Sequence, residues 1–389
     1  MDGAKFAKML SDKHLFELDR MEYKYSVSSV NEFTELLRQN FAQSLPLVDF
    51  SSDELFYLPN LARISTNGMK QLLSAPASNQ SFGLQAMTEE IHATFQIESI
   101  HSSRNSIRHI LNGYAPRNEE ESRIYGMKRG LDFIADRQNT ITEENLHQLY
   151  QISTGDYLPD EDRLLPDHFY RHDVVYVVDG EESREGLPAQ QLPDAMKRLV
   201  DFVNAKDGIN ELHKAAILHF AFAYYHPYFD GNGRTARLLH LWYLFQQSYP
   251  AALFTPFSRY IAESKAAYYK AYDRVEKNAL ISGYTDVTPF LSYFCNEVYN
   301  RLQVDVIPPQ ADLQVYQTAL ANGKITEKER LLWEYVLSAY GTEEFTTKQL
   351  EKDFRNAAYA TIRTFVMKFH EMGLLATRKA GNRVYYKVR

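Results

Sequence analysis

Within residues 226–237 the chain reads His226-Pro-Tyr-Phe-Asp230-Gly-Asn-Gly-Arg234-Thr-Ala-Arg237, which holds a base, a carboxylate, two glycines and two guanidinium groups. A glycine-flanked turn that runs into a helix start presents backbone N–H groups with no intrahelical acceptor. Those groups and the helix dipole together form an anion site. Gly231 and Gly233 let the backbone approach phosphate oxygens closely, and Asn232 lies between them in the same nest. Arg234 and Arg237 can project from one face of the first helical turn, and a guanidinium pair there suits a polyphosphate. Asp230 beside this cationic nest suits a divalent ion, Mg²⁺ above all, that bridges phosphate oxygens. His226 suits a general base, because the ordinary imidazole pKa of about 6.5 lets it take a proton from an attacking hydroxyl. The set is complete for phosphoryl-type transfer. A histidine before proline is commonly only a cap, and Asp-Gly-Asn-Gly only a turn, but the joint spacing is far more specific than either.

The elements that must position this segment read mostly as helix. Asn210 to Tyr225 is apolar nearly all round, the character of a helix in the centre of a core, and Thr235 to Phe245 is a second such helix. Pro227 and the Asp-Gly-Asn-Gly stretch separate them. Asn79 to Ile100 has Leu84, Met87, Ile91, Phe95 and Ile97 broadly on one side and predicts an amphipathic helix. Thr142 is the expected N-cap of another helix. One segment breaks the pattern. Val174-Val175-Tyr176-Val177-Val178 is β-branched and aromatic and runs into Asp179-Gly180, which predicts a short hairpin from about 169 to 187. A lone hairpin must rest on the helical body, and such a flap can cover a site.

With these residues in view, the chain resembles the Fic (filamentation induced by cAMP) family. Residues 226–237 match its signature His-Pro-Phe-x-Asp-Gly-Asn-Gly-Arg-x-x-Arg except for Tyr228 at the phenylalanine position. Lys214-Ala-Ala-Ile-Leu-His-Phe220 and Thr235-Ala-Arg-Leu-Leu239 are also similar to Fic sequences, and the likeness covers roughly residues 80–305. The resemblance implies transfer of AMP from ATP to a Ser, Thr or Tyr hydroxyl of a protein, with Mg²⁺. Phosphorylating relatives carry lysine where this chain has Gly233. The hairpin stands where Fic proteins carry a flap that docks the target by strand addition. Fic enzymes are also often held off by a helix bearing Ser/Thr-x-x-x-Glu-Gly/Asn. Thr94-Phe-Gln-Ile-Glu98-Ser99 is similar, with Ser99 as the departure, so the resemblance implies that Glu98 pairs with Arg237 and blocks the γ-phosphate clamp. It further implies that Tyr268 and Tyr269 lie beside the adenine, with ordinary aromatic core as the alternative; Asn278 is a weaker candidate for the nucleotide pocket.

The expected architecture is mainly α. It comprises an N-terminal helical region (1–78), a Fic core with its flap (79–305), a linker (306–325) marked by Pro308-Pro309, and a winged helix-turn-helix (326–389). From Arg355 onward eight residues are basic and Glu371 alone is acidic, the electrostatic footprint of a duplex-DNA binder, although a protein-contact module carries the same features. The net charge of −7 argues against nucleic acid over the whole surface. Cys295, the sole cysteine, excludes an internal disulfide framework and a cysteine-rich zinc site, and its apolar surroundings predict a packing role. No run approaches a membrane span, and Met1-Asp-Gly-Ala-Lys5 lacks the pattern of a signal peptide, so the cytoplasm is the expected location. A homo-oligomer is compatible with the sequence. Two other classes compete with the transferase: a nucleotide-sensing DNA-binding transcriptional regulator with a Fic fold, and a metal-dependent hydrolase using His226, Asp230 and His219 or His240.

Overall fold

The computed structural model describes residues 1–65, 69, 72–73, 83–179, 182–302, 310–340 and 344–389. Among them helices dominate, and the strands form two-stranded antiparallel ribbons. Helices α1 (Gly3–Leu10), α2 (Leu18–Tyr25) and α3 (Val27–Phe41) bury Met9, Met21, Val30 and Phe33 in a small core of their own. A ribbon follows, β1 (Gln43–Val48) with β2 (Glu54–Tyr57), where the sequence suggested only helix. Its signal is weak because Pro46 interrupts β1 and the register shifts between Ser44 and Val48. Phe56 exchanges backbone hydrogen bonds with Thr285 and Val287 (3.2 and 2.9 Å), which ties this region to the main body.

The main core contains α4 (Leu84–Ile97), α5 (Arg104–Leu111), α6 (Glu119–Ala135), α7 (Glu143–Ser153), α8 (Leu192–Asn204), α9 (Glu211–Tyr225), α10 (Asn232–Gln246), α11 (Phe257–Glu263), α12 (Lys265–Ser282) and α13 (Thr288–Tyr293). Residues 79–82 of the expected α4 lie outside the described residues. At the centre α9 and α10 pack along their lengths, and nearly every residue of both is buried. Asn210 caps α9 by accepting from Leu212 and His213 N–H, and Thr142 caps α7 by accepting from Asn145 N–H at 3.1 Å. The flap is β3 (Tyr176–Asp179) paired with β4 (Glu182–Glu185), so the strand starts two residues later than the β-branched run. Val174 and Tyr176 are exposed.

A second core lies in the C-terminal part. Helices α14 (Gln310–Ala321), α15 (Glu327–Ala339), α16 (Thr347–Phe354) and α17 (Tyr359–Glu371) precede a ribbon, β5 (Leu375–Ala380) with β6 (Arg383–Val388). Trp333, Phe345, Phe365 and Phe369 fill it. Ala319 is buried in the same core and Tyr316 packs on Trp333, so α14, within the expected linker, contributes to this unit. Cys295 is buried, and burial pushes its thiol up to about 12, the behaviour of a packing residue. No helix among the described residues is long and apolar enough to cross a membrane.

Candidate active site

The loop from α9 to α10 holds most of the candidate residues. Its first residue, His226, caps α9 in the left-handed conformation (φ 55°), and Gly231 turns the chain into α10 at φ 80°. A side chain at position 231 would collide with Thr154, so glycine is required by both conformation and space. Asn232 braces the loop: its side chain accepts from Tyr228 N–H at 2.9 Å and donates to Tyr228 C=O at 2.8 Å. Any anion contact by Asn232 therefore falls to its backbone N–H, which with those of Gly233 and Arg234 opens α10. Tyr228 is fully buried and stacks on Tyr150 at 3.6 Å between ring centroids. Its hydroxyl has no hydrogen-bond partner among the described residues, so the exchange of phenylalanine for tyrosine adds a polar atom that the packing does not use.

Both arginines point at one carboxylate. Arg234 Nε donates to Glu98 Oε2 at 2.7 Å, and Arg237 Nη2 donates to Glu98 Oε1. Arg237 Nε also donates to Thr94 Oγ1 at 2.6 Å, so Thr94 and Glu98 occupy this guanidinium from two sides. Burial works against the Arg237 charge, but the Glu98 carboxylate outweighs it and holds the guanidinium above its ordinary pKa. The sequence pointed to Arg237 alone as the partner; Glu98 bridges both. A side chain at Gly233 would meet Glu98 Oε1 at 2.7 Å, so this carboxylate sits directly against the helix start. Farther back on α4, Glu90 accepts from the Ser258 N–H and hydroxyl at the start of α11, and burial raises its pKa.

The end of α4 explains Ser99. Ser99 N–H bonds Gln96 C=O and Ile100 N–H bonds Phe95 C=O, the two bonds of a Schellman motif. Ser99 therefore takes the left-handed position (φ 58°) that glycine or asparagine fills more readily. Ser99→Gly should raise stability by about 1 kcal/mol through relief of that strain. Thermal unfolding checks this, and a lowered melting temperature would mean that the Lys265 to Ser99 Oγ contact (3.2 Å) outweighs the strain.

Asp230 is half exposed, with Oδ1 accepting from Gly231 N–H at 2.6 Å and Oδ2 from Arg234 Nη2 at 2.9 Å. Among the described residues no three His, Cys, Asp or Glu side chains could jointly hold a metal. A single exposed carboxylate still fits Mg²⁺, which is commonly held by one protein carboxylate with substrate phosphates and water. Tyr268 and Tyr269 come to the site, and both act electrostatically on Arg237. Tyr268 is buried with its hydroxyl 2.7 Å from His219 Nε2, whereas Tyr269 reaches toward Ile97 C=O at 3.4 Å. Asn278 is a correction. Its side chain accepts from Leu18 N–H and donates to Phe16 C=O, both at 3.1 Å, so it joins the N-terminal region to α12 and is spent on that contact. His219 and His240 are core residues that burial keeps neutral, His240 falling to about 3; Nε2 of His240 faces the Tyr299 hydroxyl. That arrangement removes them from the hydrolase reading.

One important residue has no sequence signal. Arg171, buried before the flap, donates to three backbone carbonyls: His226 through Nε at 2.8 Å, Asp173 through Nη1 at 2.6 Å, and Leu187 through Nη2. Its own N–H bonds Pro227 C=O at 2.9 Å, and Leu187 N–H bonds Tyr225 C=O at 3.2 Å. Both roots of the flap are thus tied to the loop that carries His226. Gly186 makes this approach possible, since a Cβ there would lie 2.7 Å from Arg171 Nη2.

Residues 140–244, which span α7 through most of α10, match the Fic/DOC family model. Over that stretch the chain is similar to a Fic domain. Protein adenylyltransferase fic-1 of Caenorhabditis briggsae is 24% identical over 181 residues, 45% of this chain and 31% of that protein. Protein adenylyltransferase Fic of Drosophila willistoni is 27% identical over 140 residues, 35% of this chain and 26% of that one. The chain therefore spans less than a third of the length of these curated relatives. Among solved structures, a Fic family protein from Desulfovibrio desulfuricans G20 covers 78% of this chain and 86% of its own, with a TM-score of 0.49 and 17% identity. Fic-1 from C. elegans covers 68% and 69% with a TM-score of 0.42 and 21% identity. The matched region contains His226, Asp230, Arg234 and Arg237 and ends short of the C-terminal unit.

Proposed function

We propose that this chain transfers AMP from ATP to a Ser, Thr or Tyr hydroxyl of a protein, and that Glu98 restrains the reaction. The observation that carries the reading is the convergence of Arg234, Arg237 and the α10 N-terminus on a single anion position beside His226 and Asp230. In the reaction His226 takes the proton of the target hydroxyl. The oxygen attacks the α-phosphorus, the bond from that phosphorus to the bridging oxygen breaks, and pyrophosphate leaves. Arg234, Arg237 and the first N–H groups of α10 bear the phosphate charge. Asp230 would hold Mg²⁺, whose charge supports the departing oxygens. The flap lends the free backbone edge of β3 to the target segment. Tyr268 and Tyr269 stand beside Arg237, where the nucleotide base would end. Glu98 accepts from both guanidiniums, which supports its role as the restraint on a triphosphate that would use them.

The deciding test is incubation with labelled ATP, Mg²⁺ and no other protein, comparing wild type with Glu98→Gly. Label entering the chain supports the transferase. Bound ATP that never transfers label, even in the variant, would favour the reading of a nucleotide-sensing DNA-binding regulator.

Arg171 supplies a second test. It touches neither nucleotide nor target and acts by fixing His226 and the flap roots. Arg171→Lys keeps the charge but cannot reach three carbonyls. Transfer should fall on the order of a hundredfold, the cost of about 1 Å of misplacement, while ATP affinity stays within about threefold by calorimetry. An unchanged rate would reduce Arg171 to a structural staple.

A further inference from the structure

The helix that ends in Glu98 is gripped at its other end by the C-terminal unit. Leu84 and Thr88 of α4 and Leu111 of α5 line a shallow cleft together with Tyr335, Ala339 and Tyr340. The Tyr335 hydroxyl donates to Asn112 Oδ1 at 2.8 Å. The Arg355 guanidinium lies over the ring of Tyr114, which itself stacks on His109 at 4.4 Å. The grip continues into the second core, where Tyr335 packs against Phe354 and the Tyr340 hydroxyl donates to Asp353 at 2.8 Å. Thr88 lies in α4 and Glu98 caps its C-terminal end, a span of about 15 Å at 1.5 Å per residue. A displacement at the gripped end can therefore be carried along one rigid element to the carboxylate end.

Another face of the same unit carries exposed cations. Arg363 on α17 and Lys379, Arg383 and Lys387 on the ribbon are exposed. Lys368 and Arg378 are spent on Glu329 and Glu344, whereas Arg363, Lys379 and Arg383 form no ion pair among the described residues. Three helices with a ribbon at their end are the arrangement that places one helix in a DNA groove and the ribbon on the backbone. Arg355 joins the two faces. It stands at the turn between α16 and α17 (φ 57°), next to the cationic helix, while its guanidinium rests on Tyr114 of the Fic domain side. A phosphate oxygen is a stronger partner for guanidinium than the face of a tyrosine.

We propose that α17 and the ribbon bind duplex DNA, and that DNA draws Arg355 from Tyr114, loosens the grip on α4 and frees Arg234 and Arg237 from Glu98. The enzymatic half of this inference rests on the AMP-transfer reading; the binding and the movement of α4 do not. The experiment uses the full chain and a fluorescent 24-base-pair duplex. Neutralisation of about four phosphates predicts an affinity loss on the order of a hundredfold between 50 and 200 mM salt. Arg363→Glu combined with Arg383→Glu should abolish binding with an unchanged circular dichroism spectrum. Hydrogen exchange across residues 84–97 should rise when the duplex binds. Labelled AMP incorporation by wild type should rise about tenfold with saturating duplex, and Arg355→Ala should give much of that rise without DNA. Glu98→Gly should show no further rise. No binding at low salt, or equal binding of single-stranded RNA or an acidic peptide, overturns the DNA assignment. Binding with unchanged exchange across 84–97 overturns the coupling. Absence of incorporation in every variant, with binding and exchange as expected, condemns the AMP-transfer reading alone.

Discussion

Glu98→Gly should raise self-transfer of AMP on the order of a hundredfold over wild type. One carboxylate accepts from Arg234 at 2.7 Å and also from Arg237, so on the proposed reading Glu98 competes with a triphosphate for both guanidiniums. On that reading ATP still binds, but its α-phosphorus would rest misaligned for in-line attack, and about 1 Å of misplacement costs roughly a hundredfold. Two further readouts separate restraint from simple damage. First, Glu98→Gly with Arg237→Ala should lose the gain, because the gain works through the freed guanidinium. Second, Glu98→Gly leaves two buried arginines facing each other with less compensation, so the apo variant should melt below wild type. Saturating ATP should restore much of that loss, since the triphosphate replaces the missing carboxylate and binds only the folded state. If Glu98→Gly transfers no faster than wild type while ATP binds, the contact is a structural cap on α4 and nothing more.

The parts of this site that were legible in the sequence are those written within one local segment. Residues 226–237 announce their chemistry because turn, helix start and charges are contiguous, and the two helices around them announce their burial by being apolar all round. Glu98 could be paired with Arg237 only through family resemblance; its second bond, to Arg234, is a matter of where α4 ends against α10. The Ser99 departure from the family pattern becomes intelligible only as backbone geometry, a serine placed at a left-handed position.

What stayed hidden depends on contacts between distant segments. Arg171 sits in Tyr170-Arg171-His172 like any surface arginine before a hairpin, yet its partners are carbonyls at 173, 187 and 226. No periodicity records a cation satisfied by backbone oxygens. Asn278 misled for the converse reason. It follows the tyrosines on α12, but its amide is claimed by Phe16 and Leu18, some 260 residues away in sequence. The β1–β2 ribbon was missed because a proline and a register shift erase the alternation that marks a strand.

His226→Ala and His226→Asn should both abolish transfer and leave ATP binding nearly unchanged. The backbone of the histidine is fixed on both sides. Its N–H bonds Phe222 C=O at 3.1 Å, its carbonyl accepts from Arg171 Nε at 2.8 Å, and its left-handed φ of 55° ends α9 there. A left-handed conformation at a residue that is not glycine costs about 1–2 kcal/mol, and such strain persists where the surroundings over-determine it. Asparagine tolerates this conformation well, so His226→Asn keeps the loop while removing the base; alanine tests the same loss without a polar group. On the proposed reading the phosphate contacts come from Arg234, Arg237 and the α10 N-terminus, none of which these variants alter. Loss of a general base typically costs about 10² to 10⁴-fold. The measurement is labelled AMP incorporation in the Glu98→Gly background, where the rate is high enough to follow such a fall, with ATP affinity taken by calorimetry on the same samples. Incorporation retained within a few-fold in the asparagine variant would remove His226 from proton transfer and leave it as the cap that shapes the loop.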